Sequence, residues 1–195
     1  MEIIRKIYYF LLDTVQTFLI AAAIFLFIYV TLFRPFEVNG QSMYPNFYDK
    51  EYVLTNLIGF ENLGFWRASF GKLEQGDVVV FNAPPEPDKD YIKRVIGLPG
   101  DTIFLKDGYV YVNNKLLDES KYLRNDVKTY GENFLTDNQT IKVPEEQYFV
   151  LGDNRMASSD SREWGFVKKS EIIGKSSFVY WPVNRIREVK NPYKN

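Results

Sequence analysis

The sequence predicts a mainly β protein, an antiparallel sheet or partly open barrel, with one N-terminal transmembrane helix. Three observations lead there. Twenty consecutive uncharged residues run from Thr14 to Phe33, between Asp13 and Arg34. Short runs rich in Val, Ile, Tyr and Phe follow, bounded by Gly, Pro, Asn and Asp. Outside the first segment no long run carries helical periodicity.

At 1.5 Å per residue the apolar stretch covers about 30 Å, the thickness of a bilayer's hydrocarbon core. It is apolar on every side, which argues against an amphipathic core helix. It is also longer than a signal-peptide core and no small-x-small site follows it, which argues against cleavage. Residues 1–13 therefore read as a short cytoplasmic N-terminus, 14–33 as the anchor and 34–195 as an extracytoplasmic β-rich domain. That orientation rests on Arg5 and Lys6 before the span against Arg34 after it.

In the domain, Glu51–Leu54, Asp77–Phe81, Tyr91–Ile96, Thr102–Leu105, Tyr109–Val112, Gln147–Leu151 and Ser177–Tyr180 read as strands. Lys106-Asp107-Gly108 signals a hairpin, and Val112-Asn113-Asn114-Lys115 a second turn. Pro84, Pro85 and Pro87 make Ala83–Asp88 a loop. Residues from about 115 to 139 are polar and irregular, an insertion with no chemistry of its own. The aromatic, Gly-broken run Leu57–Trp66 suits either core packing or a loop that faces the membrane.

Composition removes several chemistries. Lys plus Arg (24) and Asp plus Glu (25) nearly cancel, so no basic field points to nucleic acid. There is no His, which excludes a Ser-His-Asp triad and imidazole metal ligands. There is no Cys, which excludes thiol proteases, thiolate metal sites and disulfides. The acidic residues of Asp118–Asp137 lack calcium-loop spacing. No metal and no cofactor are expected. A base working near neutral pH must be Lys, Asp, Glu or Tyr.

Three segments could carry such chemistry. Gly40-Gln41-Ser42-Met43-Tyr44-Pro45 can present a hydroxyl and its own N–H on a stiff turn, although an exposed turn Ser reads the same way. Lys93 sits in the apolar strand Tyr91-Ile92-Lys93-Arg94-Val95-Ile96, sharing a face with Tyr91 and Val95 while Arg94 faces the other way. Burial would lower its pKa and make it a base; an edge-strand Lys reaching for water is the plainer reading. Gly152-Asp153-Asn154-Arg155-Met156-Ala157-Ser158-Ser159-Asp160-Ser161-Arg162 is either a buried polar network or a solvated turn.

Together these resemble the bacterial type I signal peptidases. An anchor, S-M-x-P, a G-D-V-V-V-F strand, Y-I-K-R-V-I-G-L-P-G-D and G-D-N-R-x-x-S-x-D-S-R occur in order, from the anchor to about Val167. The tail after Val167 adds little to the match. The resemblance implies a membrane serine endopeptidase with Ser42 as nucleophile and Lys93 as general base, acting through an acyl-enzyme. It makes Ser158 the hydroxyl that orients the Lys amine, and Phe81 and Val150 its apolar packing. Asp160 and Arg162 become a supporting ion pair, with Asp153 and Arg155 serving likewise. The Ser42 backbone N–H would be one oxyanion donor. The second stays open, because Gly40 stands where other members place a Ser, as in the Gram-positive branch.

The same resemblance implies preprotein signal peptides as substrates, cut after a small-x-small sequence lying along a strand edge. It assigns the pockets to Phe36, Val38, Met43, Val80, Tyr91 and Ile92. Membrane lipid is the other expected partner, and the oligomeric state is left open. Asn46 replaces the Thr often found after S-M-x-P, with little consequence expected past the turn. Two other readings compete. Self-cleaving repressor-type proteases share a Ser/Lys dyad but are soluble and DNA-linked. A peptide-binding module without activity would have no need of Ser42, Lys93 and Ser158 together.

Overall fold

The computed structural model describes residues 2–57 and 72–194, with the side chains of 28–33 and 57 also outside the description. Positions 58–66 of the aromatic run thus lie outside the described residues. The chain divides into two compact units after Arg34.

The first unit is helix α1, Glu2–Leu32. It begins well before the uncharged stretch and ends before Phe33, which opens strand β1 instead. Thr14 and Thr17 return their hydroxyls to the carbonyls of Phe10 and Asp13, both at 2.7 Å. This satisfies those polar groups within the helix itself, as a helix in hydrocarbon requires. Among the described residues it is the one helix long and apolar enough to cross a membrane.

The second unit is β. In order come β1 Phe33–Glu37, β2 Tyr52–Leu57, β3 Val78–Ala83, β4 Glu86–Gly97, β5 Thr102–Lys106, β6 Tyr109–Val112, β7 Lys115–Leu116, β8 Thr140–Lys142 and β9 Gln147–Leu151. Short helix α2 Ser161–Trp164, then β10 Val167–Lys168, β11 Ile172–Trp181 and β12 Arg187–Glu188 complete it. Among the described residues the larger sheet runs β1-β2-β11-β3-β4-β9-β10, with β12 on β11, and the smaller runs β7-β6-β5-β8. The pairs β2–β11, β3–β11, β3–β4, β4–β9, β9–β10, β11–β12, β5–β6, β5–β8 and β6–β7 are antiparallel.

Alternation along β3 and β4 separates two cores. Val78, Val80 and Ile92 join Val38, Met43, Phe47 and Val53 in one. Val79, Phe81 and Val95 join Tyr148, Val150 and Ile172 in the other. A third core seats Ile103, Leu105, Val110 and Val112 of the small sheet against Ile96, Phe149 and Leu151.

Two expectations need correction. Ala83–Asp88 is not a loop: the turn is Pro84-Pro85 alone, and β4 starts at Glu86. The register slips from Ala83↔Glu86 to Asn82↔Asp90, so Pro87 sits in a solvent-exposed bulge where no ladder donor is needed. Strand β11 is also longer than Ser177–Tyr180. Its polar middle is accepted inside the sheet because Ser176 meets Thr55 at 3.4 Å and Ser177 Oγ donates to Leu54 O at 3.1 Å. It lies between β2 and β3, so the tail after Val167 is central to the sheet.

Candidate active site

Ser42 stands on the loop between β1 and β2. The neck of that loop is closed by Val38 N to Glu51 O (2.7 Å) and Lys50 N to Val38 O (2.8 Å). Phe47 N donates to Met43 O at 2.9 Å, and the buried Met43 and Phe47 side chains pin the loop to the first core. Gly40 holds φ +89° with open space where a Cβ would be, so its backbone conformation explains the residue, not crowding. Its N–H donates to Asp49 Oδ1 at 2.6 Å.

From behind, the C-terminal segment grips the same loop. Arg187 donates to both carboxylate oxygens of the fully buried Glu51, at 2.8 and 2.7 Å, and also to Asn46 O. Tyr48 N adds a third bond to Glu51, at 3.0 Å.

Strand β4 brings Lys93 to Ser42. The strand alternates Lys93 toward the face of Val79, its cross-strand partner, and Phe81. Only 3% of the residue is exposed. Its Nζ lies 2.8 Å from Ser42 Oγ, 3.1 Å from Ile92 O and 5.0 Å from the centre of the Tyr91 ring. Burial lowers the Lys93 pKa to about 8, against the smaller upward pull of Asp160 and Asp153. A sizeable fraction of the amine is thus neutral slightly above pH 7, which is what accepting a hydroxyl proton needs.

The loop after β9 meets both residues. Asn154 N donates to Ser42 O at 2.9 Å, and Asn154 Nδ2 to Gln41 O at 3.1 Å. Gly152 passes so close that a Cβ there would lie 2.1 Å from Ser158 Oγ and 2.5 Å from Ser42 O. Ser158 is therefore beside the Ser42 backbone. Its Oγ is buried without a hydrogen-bond partner among the described residues, so the bond expected from it to the Lys93 amine is not formed here.

Charged residues brace this loop. Asp160 takes two bonds from the Arg162 guanidinium, at 2.8 and 2.9 Å, one from Arg162 N at 3.2 Å and one from Gly152 N at 3.0 Å. Asp153 and Arg155 do not pair with each other. Asp153 receives Arg94 in a two-pronged bond of 2.9 and 2.7 Å, both groups buried. Arg155 reaches out to Glu119 and Thr129. The irregular segment thus supplies partners for the site, Glu119 and Thr129 to Arg155 and Tyr130 O to Arg162. Asn46 also belongs to this network, donating to Asp153 Oδ2 and Tyr122 O, both at 2.8 Å. Sequence reasoning missed Asn46, Glu119 and Arg187, because their partners lie 36 to 141 residues away along the chain.

The pocket residues divide. Phe36, Val38, Met43, Val80 and Ile92 lie in one core, with Val38, Met43 and Val80 almost fully buried. Tyr91 is half-buried on the opposite face, beside Lys93 and Phe81. Phe81 and Val150 are fully buried on that face.

A family model described as signal peptidase, peptidase S26, matches residues 11–181. The chain belongs to this family. The signal peptidase I S of Bacillus subtilis is 37% identical over 182 residues, covering 91% of this chain and 93% of the relative. The signal peptidase IB of Staphylococcus aureus is 35% identical over 193 residues, covering 93% and 95%. A crystal structure of a signal peptidase I from Enterococcus faecalis is 31% identical, covering 54% of this chain and 97% of that one with a TM-score of 0.45. Membership of this serine peptidase family reaches past Val167 to residue 181, so it takes in all of the central strand β11.

Proposed function

We propose that this peptidase removes signal peptides from exported preproteins, with Ser42 as nucleophile and Lys93 as general base. The 2.8 Å approach of Lys93 Nζ to Ser42 Oγ carries the reading. Ser42 Oγ attacks the carbonyl carbon of the residue before the cut, and its proton passes to the neutral Lys93 amine. The C–N bond then breaks, and the Lys93 ammonium returns the proton to the departing amine. That leaves an acyl-enzyme on Ser42. Water attacks the ester, Lys93 takes a proton from it, and the proton goes back to Ser42 Oγ as the acid leaves.

No acceptor within the described residues takes the Ser42 N–H, which suits it to hold the oxyanion that forms at each attack. Gly40 offers no side-chain donor, so the second donor stays unassigned. Ser158, buried against the Ser42 backbone with its hydroxyl unpaired among the described residues, is suited to steady the amine as it gains and loses its proton. Asp160–Arg162 and Arg94–Asp153 hold the loops that carry these groups.

Phe36, Val38, Met43, Val80 and Ile92 make the apolar surface that would meet substrate side chains, already filled by their own packing, with half-buried Tyr91 beside Lys93 on the other face. Small residues at the first and third positions before the cut follow from that. Helix α1 anchors the chain in the lipid bilayer, its N-terminus cytoplasmic and residues 34–195 outside. Substrate cut sites test the specificity. A preprotein whose signal peptide ends in Ala-x-Ala is cleaved after the second Ala, as mass spectrometry of both fragments would record. Equal cleavage with Phe at the last position would overturn the pocket assignment.

A further inference from the structure

The Ser42 loop and strand β4 are joined by more than the contact between Ser42 and Lys93. Asn46, half-buried four residues after Ser42, uses both protons of its amide nitrogen, one on Asp153 Oδ2 and one on Tyr122 O, each at 2.8 Å. The same Asp153 carboxylate holds Arg94, the residue after Lys93, at 2.9 and 2.7 Å. The residue after Asp153, Asn154, holds Ser42 O at 2.9 Å. These links close a ring: Ser42 to Asn46 along the chain, Asn46 to Asp153 to Arg94 by hydrogen bonds, Arg94 to Lys93 along the chain, and Lys93 back to Ser42 Oγ. The ring is stiff on its far side, because the Tyr122 ring lies 4.3 Å from the Arg94 guanidinium and Tyr193 stands edge-on against Tyr122.

We propose that Asn46 is a positioning residue that locks the Ser42 loop onto the Arg94–Asp153 pair and so sets the spacing between Ser42 Oγ and Lys93 Nζ. The inference rests on the Ser42/Lys93 reading above. A side chain here must give two protons from one atom to two acceptors. An amide nitrogen does so; a threonine hydroxyl has one proton and can serve only one acceptor. Asn46 is uncharged, so its loss leaves the field of Asp153 and Asp160 on Lys93 in place.

The test measures kcat and KM on an Ala-x-Ala preprotein from pH 6.5 to 10, with melting temperatures, for wild type, Ser42→Ala, Asn46→Ala and Asn46→Thr. In Asn46→Ala kcat falls roughly 10- to 100-fold, as expected for a misplaced nucleophile. KM stays within about twofold. The pH of half-maximal kcat stays that of wild type, because Lys93 remains buried, and Asn46→Thr recovers part of the loss. An Asn46→Ala kcat within twofold of wild type overturns the proposal. So does a half-maximal pH that climbs toward that of a free lysine, which marks general loosening. If Asn46→Ala does not fold, a wild-type kcat in Asn46→Thr overturns the proposal and an intermediate one supports it. Cleavage that persists in Ser42→Ala overturns the dyad reading and this inference with it. A Ser42-dependent enzyme indifferent to Asn46→Ala overturns this inference alone.

Discussion

Lys93 and Arg94 are neighbours in strand β4, yet their side chains serve opposite faces of one sheet. Lys93 ends 2.8 Å from Ser42 Oγ, whereas Arg94 turns away to bind Asp153 through two hydrogen bonds. One strand thus provides an amine poised to lose its proton and, one residue on, a permanent cation that anchors the loop after β9. Alternation makes this possible: a single dipeptide delivers two basic groups to two environments.

Activity should rise with pH. The proton acceptor is the neutral amine, and burial sets the Lys93 pKa at about 8. Below that value the active fraction falls tenfold per pH unit, so at pH 7 turnover is about a tenth of its alkaline plateau. Initial rates from pH 6.5 to 10, at saturating substrate, check this. A flat profile would exclude Lys93 as the base.

The same burial should make the wild type less stable than Lys93→Met at neutral pH. Lys93 has its pKa lowered in the folded chain from an ordinary 10.5 to about 8, so below pH 8 the folded state carries the whole cost of a buried ammonium. That cost is about 3 kcal/mol, and the lost contacts to Ser42 and Ile92 offset part of it. Between pH 8 and 10.5 the unfolded chain binds more protons, so wild-type stability climbs with pH and the gap to Lys93→Met closes. Denaturant titrations at pH 7 and pH 10.5 measure both ends. A gap that ignores pH would contradict the assignment.

Gly152→Ala should damage both stability and turnover. The added methyl would meet Ser158 Oγ at 2.1 Å and the Ser42 carbonyl oxygen at 2.5 Å. Relieving such overlap costs about 1–3 kcal/mol and must move one of the two serines. Thermal melting reads the first effect and kcat the second. A variant with wild-type kcat would mean that the approach of these loops is not needed for catalysis.

Much of this was legible in the chain. The strands around Val78–Phe81 and Tyr91–Ile96 stand out because buried β runs are apolar and bounded by turn residues. Lys93 drew notice because an amine inside an apolar strand is costly, but the roles of Ser42, Lys93 and Ser158 came only from the resemblance of their three segments to signal peptidase motifs. What stayed hidden was long-range pairing. Nothing local to Glu51 announces Arg187, and nothing near Arg155 announces Glu119. Asn46 looked incidental because its side chain reaches Asp153 and Tyr122 across the fold. Pro87 misled for another reason: a proline stops a regular ladder, but a bulge at an exposed hairpin end has no ladder bond to lose.

Arg187→Ala should loosen the nucleophile loop from behind. The change removes both prongs from Glu51, a carboxylate with no exposed surface, and leaves Arg185 at 3.8 Å as its remaining cation among the described residues. Breaking one side of such a buried pair costs about 3–5 kcal/mol, reduced here because Arg187 is about a third exposed. Chemical denaturation should show a loss of about 2 kcal/mol or more. A loss under half of that would mean the clamp contributes little.

The most direct measurement is cleavage of an Ala-x-Ala preprotein in detergent by wild type, Ser42→Ala and Lys93→Met, with folding of each checked by circular dichroism. Wild type should cut once, and neither folded variant should cut. Cleavage that survives in Lys93→Met at a rate near wild type would contradict the Ser42/Lys93 reading, because no other base lies within reach of Ser42 Oγ among the described residues.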